Sequence, residues 1–130
     1  MKKILATFFV LLILSTKGQT QNIAPTVFLY ENKSSISKDS ILKMAKLNIS
    51  DTSLIIESFT YVVTGNRIKG EPNPSFGINK GNKFCKDLID ELVKYKNNQS
   101  SLLITDVVIQ HKKKDIGKTK RLNQHLTINF

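Results

Sequence analysis

The stretch Asn82–Gln110, NKFCKDLIDELVKYKNNQSSLLITDVVIQ, decides the fold because its hydrophobic period changes halfway. Cys85, Leu88, Ile89 and Leu92 stand at i, i+3, i+4 and i+7. That stripe predicts a helix over about residues 82–95 with one buried face. From Ser101 to Ile109 the chain is almost unbroken Leu, Ile and Val. The run is too short for a second helix of that quality and reads as a strand. The polar residues Asn97–Ser101 between them predict a short turn.

Outward toward the N-terminus the chain begins with Met1–Lys2–Lys3, an apolar run from Ile4 to Leu14 broken only by Thr7, and a polar stretch with small residues at Thr16 and Gly18. This is the three-part layout of a secretory signal peptide, expected at residues 1–18. The apolar run falls well short of the roughly 20 residues that a membrane span needs. Cleavage removes Lys2, Lys3 and Lys17 and no acid, so the formal charge falls from +10 to +7. The expected product is exported and periplasmic, with secretion as the alternative, and has no transmembrane anchor after cleavage. Cys85 is the single cysteine, which excludes an intramolecular disulfide. Stability must then come from an apolar core. Cys85 is expected to be packed in that core rather than to act as a nucleophile.

Residues 19–35 read as a leader followed by a first strand over Thr26–Tyr30. Ser37 can cap a short helix over Lys38–Lys46 with Ile41, Leu42 and Ala45 on one side. Leu54 to Thr64 is a long strand with a phase defect: Leu54 and Ile56 face one way, and Phe59, Tyr61 and Val63 the other. A bulge around Glu57–Ser58 would put all five on one side, whereas burial on both faces of a sandwich would leave them as they are. Gly65–Asn66 is expected to close this strand. Arg67 to Gly77 carries Gly70, Pro72, Pro74 and Gly77, which argues against a central strand or a helix and for a stiff, exposed connector. In that connector Phe76 is expected to plug into the core, with an exposed partner contact as the alternative. The last segment, Leu122–Phe130, alternates as a half-buried strand, with Gln124 out of phase.

The most charged feature is the loop His111–Arg121, HKKKDIGKTKR. Its cations Lys112, Lys113, Lys114, Lys118, Lys120 and Arg121 are either a solvated hairpin closed by Asp115–Ile116–Gly117 or a patch for anionic partners. No aromatic residue accompanies it before Phe130, so nucleic acid is not an expected partner. Asp87, Asp90 and Glu91 read as a solvated helix face with Asp90 paired to Lys86 or Lys94. His111 and His125 make a poor metal site. Cys85, His111 and His125 assemble no acid–base or nucleophile set, so no enzyme, metal or cofactor is expected.

Several segments resemble, in order and spacing, the C-terminal domain of the gliding-motility protein GldM of the Bacteroidetes type IX secretion machinery. They are Ile36–Leu47, Ser58–Phe59–Thr60, Gly70–Gly77, Phe84 with Leu88–Ile89, Ile104–Thr105–Asp106–Val107, Asp115–Ile116–Gly117, Arg121–Leu122 and Leu126–Phe130. Asn97–Asn98 stands where the family has a glycine. The resemblance covers about residues 36–130 and implies an envelope protein as partner, in secretion or gliding; a homo-oligomer is compatible with it. The fold expected is α+β: a small, mostly antiparallel sheet or sandwich with two helices packed on it. The function expected is a non-catalytic exported protein–protein interaction module with Phe76 as a contact. The alternative is an exported domain that binds acidic glycans or lipid headgroups through loop 111–121.

Overall fold

The computed structural model describes residues 24–29, 33–71, 73–113 and 117–130. The expected signal peptide, Tyr30, Lys114 and Asp115–Ile116 lie outside the described residues. The elements run β1 (Val27–Phe28), α1 (Lys38–Met44), β2 (Asn48–Ile49), β3 (Leu54–Arg67), β4 (Ser75–Lys80), α2 (Lys86–Val93), β5 (Tyr95–His111), β6 (Lys120–Arg121) and β7 (Leu126–Asn129). β1 and β2 form a small antiparallel pair. The main sheet has the order β4-β3-β5-β6, with β7 also paired to β5, and every pairing in it is antiparallel. The fold is α+β with two helices on one sheet.

The β3–β5 ladder is the spine, and its bulges set which side chains enter the core. Ile56 faces Ile109 and Ser58 faces Val108, so Glu57 is an extra residue on β3. Leu54, Ile56, Phe59, Tyr61 and Val63 are consequently all buried, as a bulge at Glu57–Ser58 requires and two-sided burial does not. β5 has the matching defect. Between Thr105 and Val108 it holds one residue more than β3, and Asp106 takes φ 49°. The buried series on β5 therefore shifts phase, from Leu102 and Ile104 to Val107 and Ile109.

α2 supplies the cover. Leu88 and Leu92 are fully buried, Ile89 and Cys85 pack partly against the same core, and Phe84 meets Phe59 edge-on with ring centroids 6.0 Å apart. The helix is shorter than the expected span of 82–95, because Cys85 is its N-cap and Tyr95 already belongs to β5. α1 follows its sequence signals closely. Ser37 Oγ accepts the Ser40 N–H at 3.3 Å, and Ala45 ends the helix in the left-handed region. Its end is stitched to the start of α2 by Leu47 N–H to Asn82 O and Phe84 N–H to Ala45 O.

Four expectations need correction. The polar residues after α2 form no turn: β5 starts at Tyr95, and Lys96–Gln99 form a wide bulge, since Arg67 faces Tyr95 while Gly65 faces Ser100. Gly65 does not close β3 either. It sits inside the strand at φ 122°, where a Cβ would lie 2.3 Å from Gln99 O, so the bulge demands a glycine there. The connector is also shorter than its prolines suggest, for Ser75–Lys80 is a strand, and an edge one. Finally, Leu122–His125 is not extended pairing. Leu122 is buried, and Gln124 turns inward to grip Val27, accepting its N–H at 2.9 Å and donating to its carbonyl at 3.1 Å.

The packing of α2 is directly testable. Leu88→Ala and Leu92→Ala should each cost about 2–5 kcal/mol, the range for a fully buried leucine that leaves a cavity. Chemical denaturation should show this as a lower midpoint with an unchanged slope; losses below about 0.5 kcal/mol at both positions would mean that this face is not packed.

Candidate functional site

Residues of β4 alternate sharply. Asn79 is fully buried and Gly77 half-buried on the helix side, whereas Phe76, Ile78 and Lys80 are exposed on the other. Phe76 is 80% exposed and Ile78 71%. Phe76 is therefore not a plug for the core. The connector is pinned instead by Tyr95, which is fully buried and donates its hydroxyl proton to Asn73 O at 2.5 Å. Beside Phe76 and Ile78, Thr60, Val62, Leu103 and Thr105 of the same sheet face are only half-buried.

The ladder phase shows which backbone groups β4 leaves over. Ser100 and Phe130 exchange both of their N–H···O bonds, at 3.0 and 2.9 Å. Counting by twos, Leu102 and Ile104 bond to β7, so Leu103 and Thr105 bond to Val62 and Thr60. The odd-numbered residues of β3 then bond to β4, in phase with Gly81 N–H donating to Glu57 O at 2.5 Å. Ser75, Gly77 and Asn79 are thus committed to β3. The N–H and C=O of Phe76 and Ile78 point away from it, toward an edge that no described strand covers.

The opposite edge is treated differently. Ser35 bridges Asn129 in parallel, Ile36 N–H donates to Asn129 O, and Asn129 N–H donates to Ser34 O, each at 3.0 Å. That cover blunts the β7 edge against pairing with other chains. β4 has no such cover among the described residues.

Behind β4, on the helix side, an open groove of about 490 Å³ is lined by Tyr61, Pro74, Ser75, Phe76, Asp87, Asp90, Glu91 and Lys94. Tyr61 forms its floor beneath Gly77, where an added Cβ would meet the phenol oxygen at 2.5 Å. Glu91 is not on a purely solvated face. It accepts from Ser75 Oγ at 2.5 Å, pairs with Arg67 at 3.2 Å and is bonded by Lys94. The Arg67 guanidinium also stacks 5.2 Å above the Tyr95 ring. The expected pairing of Asp90 with Lys86 or Lys94 does not form; Asp87 and Asp90 are exposed, with no salt bridge among the described residues. Sequence reading missed this latch because Arg67, Ser75, Glu91 and Tyr95 are scattered across 29 residues of unrelated elements.

The basic loop is a hairpin at its base, with Val108 facing Arg121 and Ile109 facing Lys120. Lys112, Lys113, Lys118, Lys120 and Arg121 are all exposed, and Arg121 lies 3.6 Å from the exposed carboxylate of Asp106. Cys85, His111 and His125 stand on three separate segments: the N-cap of α2, the end of β5 and the approach to β7. Among the described residues no His, Cys, Asp and Glu side chains group into a metal site. No described helix is long and apolar enough to cross a membrane.

The Glu91 latch has a pH signature. The bond from Lys94, then that from Ser75, hold its carboxyl below the ordinary value of 4.5. Its contribution to stability is therefore complete above pH 4.5 and is lost as pH falls through the lowered folded value. Glu91→Gln should be less stable than the wild type at neutral pH, and urea midpoints should converge as the solution is acidified below 4.5. A gap that stays constant across that range would exclude the ion pair as its source.

No protein-family model and no curated protein matches this chain.

Proposed function

We propose that the chain is a non-catalytic exported module that docks an envelope protein by accepting an extended segment of that partner as an extra strand beside β4. The observation that carries the reading is the free edge of β4, with Phe76 and Ile78 exposed on it and their backbone groups unpaired by the sheet. Strand addition takes affinity from main-chain hydrogen bonds and specificity from alternate side chains. An exposed aromatic and a β-branched residue two positions apart suit that use. The contrast with the covered β7 edge supports it further, because an open edge is a hazard that proteins otherwise blunt. The resemblance over residues 36–130 to the GldM C-terminal domain supports an envelope partner in the type IX secretion or gliding machinery.

Binding of acidic glycans or lipid headgroups is the second reading, favoured by the exposure of Lys112, Lys113, Lys118, Lys120 and Arg121 around one hairpin. The two differ in salt dependence and in which residues matter. Multi-lysine contacts release counterions and weaken steeply between about 50 and 200 mM salt. Strand addition does not depend on charge in that way.

Affinity capture from the periplasm with the mature chain as bait separates them. Phe76→Ala should weaken capture more than about fivefold. Neutralising Lys112, Lys113 and Lys118 together should leave both capture and the thermal midpoint nearly unchanged, since exposed charges contribute little to the core. A partner that is released by modest salt and is indifferent to Phe76 would overturn strand docking in favour of the basic loop.

A further inference from the structure

Strand docking at β4 leaves open what kind of strand fits, and the groove behind the edge answers that. A strand laid beside β4 continues its pleat, so alternate side chains of the guest fall on the two faces of the sheet. On the open face they meet Phe76 and Ile78, which select apolar residues. On the helix side they hang over the groove between β4 and α2. There the exposed carboxylates of Asp87 and Asp90 stand above the Tyr61 floor, and no described cation neutralises either. Lys94, the cation lining the groove, is already committed to Glu91. The site thus has an apolar lip and an anionic inner wall.

Resting on the docking reading, we propose that the guest is an extended peptide segment with apolar residues on one face and lysine or arginine on the other, its cation seated between Asp87 and Asp90. Charge complementarity selects this occupant over a second copy of the chain. The helix-side residues of β4 itself are Ser75, Gly77 and Asn79, so a copy pairing edge to edge through β4 brings no cation to the groove. It also sets one α2 opposite another, with Asp87 and Asp90 facing their own equivalents. An acidic guest is opposed by the same two carboxylates.

The test uses three blocked hexapeptides in which valine alternates with arginine, serine or glutamate, titrated into the ¹⁵N-labelled mature chain. Amide shifts of Phe76, Gly77 and Ile78 report docking at the edge. The arginine peptide should bind about tenfold more tightly than the glutamate peptide, with serine between them. In Asp87→Asn/Asp90→Asn, a double change at exposed positions, all three should still shift the β4 amides, with affinities within about twofold of one another. A glutamate peptide that binds as well as the arginine peptide, or an arginine preference that survives the double change, overturns the basic-guest inference and leaves edge docking standing. If none of the peptides shifts the β4 amides, docking at β4 itself fails, and the inference with it.

Discussion

The carboxamide of Asn79 is the constraint on which the geometry of the site depends. It is fully buried, and its oxygen accepts the Cys85 N–H at 2.6 Å, an amide at the head of α2 that the helix itself does not bond. Its nitrogen reaches the carbonyls of Gly81 at 3.1 Å and Lys83 at 2.9 Å, with Lys80 O at a longer 3.3 Å. One side chain at the end of an edge strand thereby closes the turn and sets where the helix begins. Cys85, the N-cap, makes no side-chain cap bond of its own, and Asn79, six residues upstream, satisfies the amide of the N-cap residue itself. An apolar residue there would deprive the Cys85 N–H and the Gly81 and Lys83 carbonyls of this partner, at about 0.5–1.5 kcal/mol for each bond lost. It would also remove the tie between the end of β4 and the start of α2, leaving the Ser75–Glu91 bond and the packing of Leu88 and Leu92 to hold the two side by side along the groove.

Around that fixed point the sheet is asymmetric. Matched bulges at Glu57 and Asp106 keep one face of β3 and β5 apolar along their length, so a single layer of helix suffices to bury it. The other face stays half-open. At one border Ser34–Ile36 cover the end of β7 at Asn129. At the other, the Tyr95 hydroxyl and the Arg67–Glu91–Ser75 cluster hold the start of β4 without covering its outer rim. These contacts order the strand while leaving Phe76 and Ile78 exposed. An ordered edge binds a guest strand at a lower entropic cost than a mobile loop would.

Much of this was readable from residues alone, and the failures have specific causes. The stripe through Leu88 and Leu92 marks the buried helix face, and the phase defect at Glu57–Ser58 marks a real bulge, because both are consequences of side-chain period. Strand β4 is hidden because Pro74 precedes it and Gly77 interrupts it; the glycine is needed where Tyr61 lies over the strand, a contact between elements that no local pattern reveals. The bulge at Lys96–Gln99 looks like a turn because exposed bulges and turns use the same polar residues. Phe76 looks like a plug because a large aromatic in a Pro/Gly segment is usually buried; here Tyr95, at the end of the span expected to be helix, does the pinning. As for the site, Asp87 and Asp90 were visible as charges. Their place beside an open edge was not, since it depends on Asn79 setting α2 against β4.

The outer rim of β4 is an ordered strand edge that no described strand pairs. Residue-resolved amide hydrogen exchange on the isolated chain tests this most directly, because alternate residues of one short strand must behave differently. The amides of Gly77 and Asn79, bonded to β3, should be protected together with those of β3 and β5. Those of Phe76 and Ile78 should exchange far faster than these neighbours. Equal, strong protection at all four positions would mean that the edge is already occupied, and uniformly fast exchange would mean that β4 is not a formed strand; either result would contradict the account.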